Sequence, residues 1–336
     1  MANLPGLPIS VFPVLVFLIS LVFLDSYKLV SLRAVLTAAL FGLVAAFVSL
    51  FINDRLLEIL PWDLSVYSRY AAPLIEEALK ASYIVYLMRS KRLGFMVDGA
   101  ILGFAVGAGF AIVENFYYAG ASTGITLITC LLRGLGTAVM HGGATALVGI
   151  VAQNLSDRYV SLGPRAFLPA IGVAYAIHSL FNHFVGATVF SVVGMLIILP
   201  LIIVLAFRQS ERNLRNWLGV GFDTDADLLD IITRGGVSRT GIGRYLESFK
   251  ENLPAAAVAD MLCLLRLHAE LSIQAKGVLL MREAGFETDP DPEIREKLVE
   301  LEFLERSIGK AGMLALAPFL HWRTRDLWQL HMLGKK

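Results

Sequence analysis

Two adjacent glutamates and a lysine interrupt an otherwise apolar, helix-prone stretch, PLIEEALKAS at positions 73–82. Charged side chains are costly in apolar surroundings, so Glu76, Glu77 and Lys80 are candidates for a function. Three later apolar stretches also carry polar or ionisable groups. Those groups are Glu114 at the end of FAIVE, His141 at the start of HGGAT, and His178 and Asn182 in HSLFN.

Glutamates and histidines without a cofactor motif suit hydrolysis. A glutamate partly removed from water can act as a general base toward a water molecule. A histidine or an asparagine can donate a hydrogen bond to the oxyanion that develops on the substrate. Alternatively, two histidines and a carboxylate can hold zinc and leave one position for water. In either case Lys80 would neutralise whichever glutamate stays charged.

Helical spacing determines which of these groups can face a common centre. Glu76 and Lys80 are four residues apart and share a helix face, so a purely structural ion pair is one interpretation of them. Glu77 is rotated by about 100° from Glu76, so the two carboxylates are expected to point differently. His178 and Asn182 are also four apart. Together with Glu114 and His141 on the two remaining helices, four helices can each direct a polar group into one pocket.

The composition indicates that these helices lie in a membrane. The chain has 336 residues, of which 56% are hydrophobic and 17% are charged. Residues 1–208 hold 21 of the 57 charged residues, and residues 209–336 hold the other 36. We therefore predict an all-α protein with a polytopic membrane domain at 1–208 and a soluble helical domain at 209–336. A net charge of +1 without a long basic run gives no indication of a nucleic-acid partner.

Seven apolar stretches are long enough to cross a bilayer, whose core of about 30 Å needs roughly 20 helical residues. The first lacks a basic start and a cleavage site, so we interpret it as a retained helix. The third to sixth carry the polar groups, and the other three are expected to enclose them. The predicted spans are 7–24, 34–53, 66–88, 95–118, 124–152, 166–186 and 188–207.

The loop charges predict the orientation of these spans. With the N-terminus outside, ten lysines and arginines fall in or just after the inner loops and two in the outer loops. The positive-inside rule then predicts a protein of the cell membrane whose C-terminal domain lies in the cytoplasm. By elimination, we assign this domain a regulatory role or the binding of a cytoplasmic protein partner.

Glycines on the fourth predicted span repeat every four residues, at Gly99, Gly103 and Gly107. Small residues on one face of a helix let another helix approach closely in lipid. We interpret this repeat as a packing face and not as part of a site.

Four short motifs in four predicted spans resemble the PrsW family of intramembrane proteases, in the wider group that includes the CAAX prenyl proteases. The resemblance covers about residues 66–190. The motifs are E-E-x-x-K at Glu76–Lys80, F-x-x-x-E at Phe110–Glu114, the stretch His141–Thr145, and H-x-x-x-N at His178–Asn182.

This resemblance implies a helical membrane protease that cleaves membrane-associated, single-pass protein substrates, such as anti-sigma factors in bacteria. The family is often described as metalloproteases, whereas its relatives have been argued to be glutamate-type enzymes without metal. The cofactor therefore stays open between zinc and none, and we favour the metal-free mechanism. By resemblance, Glu76 or Glu77 would activate water, His141, His178 and Asn182 would complete the site, and Glu114 would lie near it.

Other classes of protein remain as alternatives. The chain has no H-E-x-x-H zinc motif and no serine or aspartyl intramembrane-protease motif in a predicted span. Buried glutamates, histidines and a lysine also form proton relays, so a proton-coupled transporter or channel is the second hypothesis. A non-catalytic membrane scaffold that recruits partners through its C-terminal domain is the third.

Overall fold

The structure, a computed structural model, confirms the all-α prediction. It describes residues 6–23, 25, 27–121, 127–156, 163–183, 188–251, 253–286, 292–320 and 324–334, and within these ranges the regular structure is helical, with no strand. The chain divides into two compact units, Met1–Ser210 and Glu211–Lys336.

A helix in the first unit corresponds to each predicted span. Within the described ranges, four stretches are long and apolar enough to cross a membrane: Leu32–Ile59, Met96–Tyr117, Gly134–Ser156 and Val192–Thr233. The count of seven spans therefore stays a prediction. The helices are α1 (Gly6–Phe23), α2 (Leu32–Ile59), α3 (Leu64–Val66), α4 (Ala72–Arg89), α5 (Met96–Ala121), α6 (Leu127–Ser156), α7 (Pro164–His183) and α8 (Thr188–Thr233), with a π-helical turn, Tyr67–Ala71, between α3 and α4.

Helices α5 and α6 form the centre of the first unit. The apolar stretch of α5 is 94% buried, whereas that of α2 is 33% buried and that of α8 is 22% buried. The outer faces of α2 and α8 expose large apolar side chains such as Leu40, Phe47, Ile197 and Leu201. Apolar side chains on an outer surface suit contact with lipid, and α2 and α8 thus enclose the more polar interior as expected.

Close contact between α5 and α6 depends on the glycine repeat. A Cβ added at Gly103 would lie 2.4 Å from the Thr145 carbonyl oxygen, and one added at Gly107 would lie 2.1 Å from the His141 carbonyl oxygen. No larger residue fits there without separating the two helices. The repeat is therefore a packing face, as interpreted from the sequence, and it sets the distance of the His141 backbone from α5.

Pro73 accounts for the π-helical turn that precedes α4. Proline has no N–H, so Pro73 cannot donate the usual helical hydrogen bond to the carbonyl of Arg69. That carbonyl instead accepts a hydrogen bond of 2.7 Å from the Ser179 hydroxyl of α7. The neighbouring Ser68 carbonyl accepts one of 2.8 Å from the Asn182 side-chain amide. The turn thereby links α4 to α7, the two helices that carry most of the candidate groups.

Among its described residues, the second unit contains its own apolar core and a buried polar network. Lys276 lies 2.6 Å from the Asp225 carboxylate and beneath the Trp217 ring, and Ser272 and Gln329 complete the network. Gly235 follows the end of α8 with a φ of 70°, and Gly285 follows the helix Ala255–Glu283 with a φ of 86°. The regulatory or partner-binding role of this unit stays a prediction. Its helices after α8 are α9 (Gly241–Ser248), α10 (Ala255–Glu283), α11 (Pro292–Leu316) and α12 (Thr324–Leu333).

Candidate active site

Six of the seven candidate residues form one connected cluster in the core of the first unit. Helix α4 supplies three of them, α5 and α6 one each, and α7 one. Four of the six are buried, and the other two are partly exposed. The members of this Glu–His cluster are Glu76, Glu77, Lys80, Glu114, His141 and His178.

A buried ion pair lies at the centre of the Glu–His cluster. Lys80 Nζ lies 2.6 Å from Glu77 Oε1, and both side chains are fully buried. The spacing in the sequence favoured Glu76 as the partner of Lys80, but the ion pair in the structure joins residues three apart. His178 Nδ1 donates a second hydrogen bond, of 2.8 Å, to the same Glu77 oxygen. Glu77 is thus bound from two sides.

His141 bridges the ion pair and the carboxylate of Glu114. Its Nδ1 lies 2.7 Å from Lys80 Nζ, and its Nε2 is hydrogen-bonded to Glu114 Oε2. An ammonium group carries only donors, so Nδ1 accepts, and the ring proton is on Nε2, facing Glu114. The Phe110 ring packs beneath both Lys80 and His141, with the Lys80 ammonium 4.7 Å from its centre. This packing keeps water from one side of the pair.

Glu76 differs from Glu77 in its exposure and its neighbours. The Glu76 side chain is 15% exposed, whereas that of Glu77 is 0% exposed. One Glu76 oxygen accepts a 3.4 Å hydrogen bond from the Asn53 amide, and the other lies 3.8 Å from His178 Nε2. The two glutamates point differently, as expected, yet each approaches a different nitrogen of the same His178 ring.

Asn182 lies outside the described hydrogen bonds of the Glu–His cluster. Its amide binds the Ser68 carbonyl of the π-helical turn. Two residues near the cluster were missed by the sequence analysis. Asn53 of α2 binds Glu76, and Tyr67 of the π-helical turn donates a 2.9 Å hydrogen bond to Asn53. Their only signal in the sequence is a polar amide at the end of an apolar span and a tyrosine near a proline.

The Glu–His cluster fits a metal ion only in part. One ligand atom each from Glu76, His141 and His178 lies within 4.8 Å of the others. His178 suits a ligand, because Glu77 fixes its Nδ1–H and leaves Nε2 free. His141 does not, because Lys80 holds its Nδ1 as an acceptor and its Nε2 carries the proton. Three protein ligands therefore require that the Lys80 ammonium be lost or displaced.

The fold and the cluster together define a class: a helical membrane protein with a buried cluster of glutamates, histidines and a lysine in its core. A family model described as "PrsW family intramembrane metalloprotease" matches residues 30–205, just over half of the chain. The chain therefore belongs to the PrsW family of intramembrane proteases, as the four motifs suggested, and is a multi-pass membrane peptidase by class. No curated protein and no solved structure matches the chain.

Proposed function

We propose that the protein hydrolyses a peptide bond in single-pass membrane proteins, with Glu76 as the general base. The observation that carries this assignment is the position of Glu76, which is partly exposed and faces the free Nε2 of His178 at 3.8 Å. A water molecule beside this pair can donate one hydrogen bond to each group. Glu77 is fully buried and already binds two partners, so it is a poor candidate to reach such a water.

In the proposed reaction the water oxygen attacks the carbonyl carbon of the scissile bond. Glu76 takes the proton that the water loses, and a tetrahedral intermediate forms. When the C–N bond breaks, a proton passes from this pair to the leaving amine nitrogen. Glu77 holds His178 through its Nδ1–H, so Nε2 stays directed at the water. Glu77 is therefore a positioning residue, although the sequence left it open as a base.

The remaining candidates have supporting roles in this proposal. Lys80 compensates the charge of Glu77 and sets the tautomer of His141, whose Nε2–H faces Glu114. Glu114 is 23% exposed, so it borders the space from which a substrate would approach. Asn182 was expected to complete the site; its described hydrogen bond supports a role in joining α7 to the π-helical turn instead.

We propose that the reaction needs no metal, because the Lys80 ammonium leaves His141 unsuited as a ligand. Elemental analysis of active, purified protein is expected to find less than one zinc per chain, and chelation is expected to leave the cleavage rate unchanged. A stoichiometric zinc whose removal stops cleavage and whose return restores it would contradict this mechanism. If a Lys80→Met variant binds zinc where the wild-type protein does not, the Lys80 ammonium group is what prevents zinc binding.

The substrates and the orientation are proposed from the family and the loop charges. Single-pass proteins of the anti-sigma-factor kind are the substrate class, and the C-terminal unit lies in the cytoplasm as a regulatory or partner-binding domain. Glu76 and His178 lie about nine residues from the outer ends of their predicted spans, or roughly 13 Å at 1.5 Å per residue. Water reaches them most directly from outside, so the cut falls near the outer face of the substrate span.

New protein N-termini in cells test the reaction and the side of the cut together. Membranes from cells that express the wild-type protein or the Glu76→Gln variant are compared by N-terminal enrichment and mass spectrometry. We expect new N-termini in the outer half of single-pass spans, present only with the wild-type protein. Wild-type-specific termini at the cytoplasmic end would contradict the proposed side. No wild-type-specific termini within spans would contradict the protease, which the family favours over a transporter or a scaffold.

A further inference from the structure

A chain of two hydrogen bonds runs from the π-helical turn through α2 to Glu76. Tyr67 Oη donates to Asn53 Oδ1 at 2.9 Å, and Asn53 Nδ2 donates to Glu76 Oε1 at 3.4 Å. Asn53 Nδ2 also lies 3.2 Å from the Ser49 hydroxyl oxygen. Tyr67 is 1% exposed, so its hydroxyl is shielded from bulk water. These contacts connect a helix that carries none of the candidate groups to the cluster.

The direction of the hydrogen bonds fixes the orientation of the Asn53 amide. A carboxylate oxygen can only accept, so the NH2 group of Asn53 faces Glu76, and the Asn53 carbonyl oxygen is left to accept from the Tyr67 hydroxyl. Asparagine supplies both an acceptor for Tyr67 and a donor for the carboxylate. Neither an aspartate nor a hydrocarbon side chain can serve both partners. The interaction therefore depends on residue type and not only on volume.

We propose that Asn53 and Tyr67 are positioning residues for the Glu76 carboxylate. With Oε1 held by Asn53, Oε2 is left on the side of His178, 3.8 Å from Nε2. Without the amide, the carboxylate is free to rotate about its last side-chain bond, and Oε2 loses its fixed direction. The effect of this arrangement on catalysis rests on the proposed function of Glu76. The hydrogen bonds themselves do not depend on that function.

The same turn also positions the other half of the proposed water site. The carbonyls of Ser68 and Arg69 accept hydrogen bonds from Asn182 and Ser179 of α7, the helix that carries His178. Tyr67, at the start of the turn, holds Asn53 and thereby Glu76. One five-residue turn thus sets both groups that face the water.

Infrared spectroscopy tests the contact without requiring any substrate. Protein labelled with carbon-13 in the glutamate side-chain carboxyl group is compared with labelled Glu76→Gln protein, and the band that disappears belongs to Glu76. We expect that band to shift in Asn53→Leu and in Tyr67→Phe. Tyr70→Phe is the matched control, because this tyrosine lies in the same turn but its hydroxyl contacts His183, outside the Glu–His cluster. Its spectrum should match that of the wild-type protein.

Kinetics then test the consequence for catalysis. With a single-pass span recovered from the N-terminal comparison as substrate, Asn53→Leu and Tyr67→Phe are expected to lower kcat about 10- to 100-fold and to leave KM unchanged. In the Asn53→Leu background, Tyr67→Phe should cost nothing more, because Tyr67 acts through Asn53. A general packing defect would instead give additive losses and would extend to Tyr70→Phe.

The spectroscopic and kinetic results separate the two levels of the proposal. An unchanged Glu76 band in Tyr67→Phe, which removes a single oxygen atom, would overturn the positioning role whatever the activity. The same shift in Tyr70→Phe would also overturn it. If the band shifts in Asn53→Leu and in Tyr67→Phe but the wild-type protein cleaves nothing, the contact is supported and the proposed function of Glu76 is contradicted. A shifted band with unchanged kcat would show that Asn53 does not position the base.

Discussion

The Glu76→Gln variant is expected to lose about 10²- to 10⁴-fold in kcat while the protein stays folded, because general-base catalysis contributes about this much. Glutamine keeps the shape of the side chain, and its carbonyl oxygen can still accept the hydrogen bond from Asn53. It cannot take a proton from water. In the described contacts Lys80 forms its ion pair with Glu77 and not with Glu76. Neutralising Glu76 therefore leaves the buried Glu77–Lys80 pair intact.

The measurement is the cleavage rate of a single-pass span by purified protein, with the melting temperature in detergent as a check on folding. Glu58→Gln is the matched control, because Glu58 is 65% exposed and, among the described residues, pairs with Arg55 on the surface of α2. We expect this control to cleave at the wild-type rate. A Glu76→Gln protein as active as this control would remove Glu76 from the mechanism and return the role of the base to Glu77 or His178.

The sequence predicts the helices and the membership of the cluster well, for a simple physical reason. Apolar stretches of about 20 residues form helices in lipid because every backbone polar group must be satisfied within the segment. Ionisable groups inside such stretches are costly unless they meet one another. The positions of Glu76, Glu77, His141 and His178 in apolar helices therefore predict that they come together, and the structure places them in one cluster.

The partner of each group could not be predicted from spacing. Glu76 and Glu77 are both within one helical turn of Lys80, and a long glutamate side chain reaches neighbours at either three or four residues. The choice is made by α7 and α6, which bring His178 and His141 to the Glu77 side of Lys80. Such a tertiary arrangement leaves no local trace in the sequence, so the spacing favoured Glu76 although Glu77 is the partner of Lys80.

Asn53 and Tyr67 show a different limit of the sequence. Asn53 follows the apolar part of α2 and precedes Asp54 and Arg55, a pattern typical of a span that ends at the membrane surface. Its contact with Glu76 spans 23 residues of chain, and its contact with Tyr67 spans 14. Pro73 cannot donate a backbone hydrogen bond, but its position alone does not indicate a π-helical turn that binds α7. Only the packing of the helices reveals these roles.

The buried ion pair of Glu77 and Lys80 is expected to affect stability more strongly than the other contacts of the Glu–His cluster. Lys80→Met would leave the Glu77 carboxylate fully buried without its counter-ion, and Glu77→Gln would leave the Lys80 ammonium in the same position. Removing one partner of a buried ion pair costs about 3–5 kcal/mol. We therefore expect each single variant to melt well below the wild-type protein in detergent.

The double variant distinguishes this mechanism from a simple loss of packing. In Glu77→Gln/Lys80→Met no charge of the pair remains, and the glutamine can still accept from His178, so much of the lost stability should return. Arg55→Ala is the matched control, because its exposed pair with Glu58 contributes at most about 1 kcal/mol. Losses that simply add in the double variant would show that the two residues stabilise the core independently. Cleavage should stay low in the double variant even if stability recovers, because His141 loses the ammonium that fixes its tautomer.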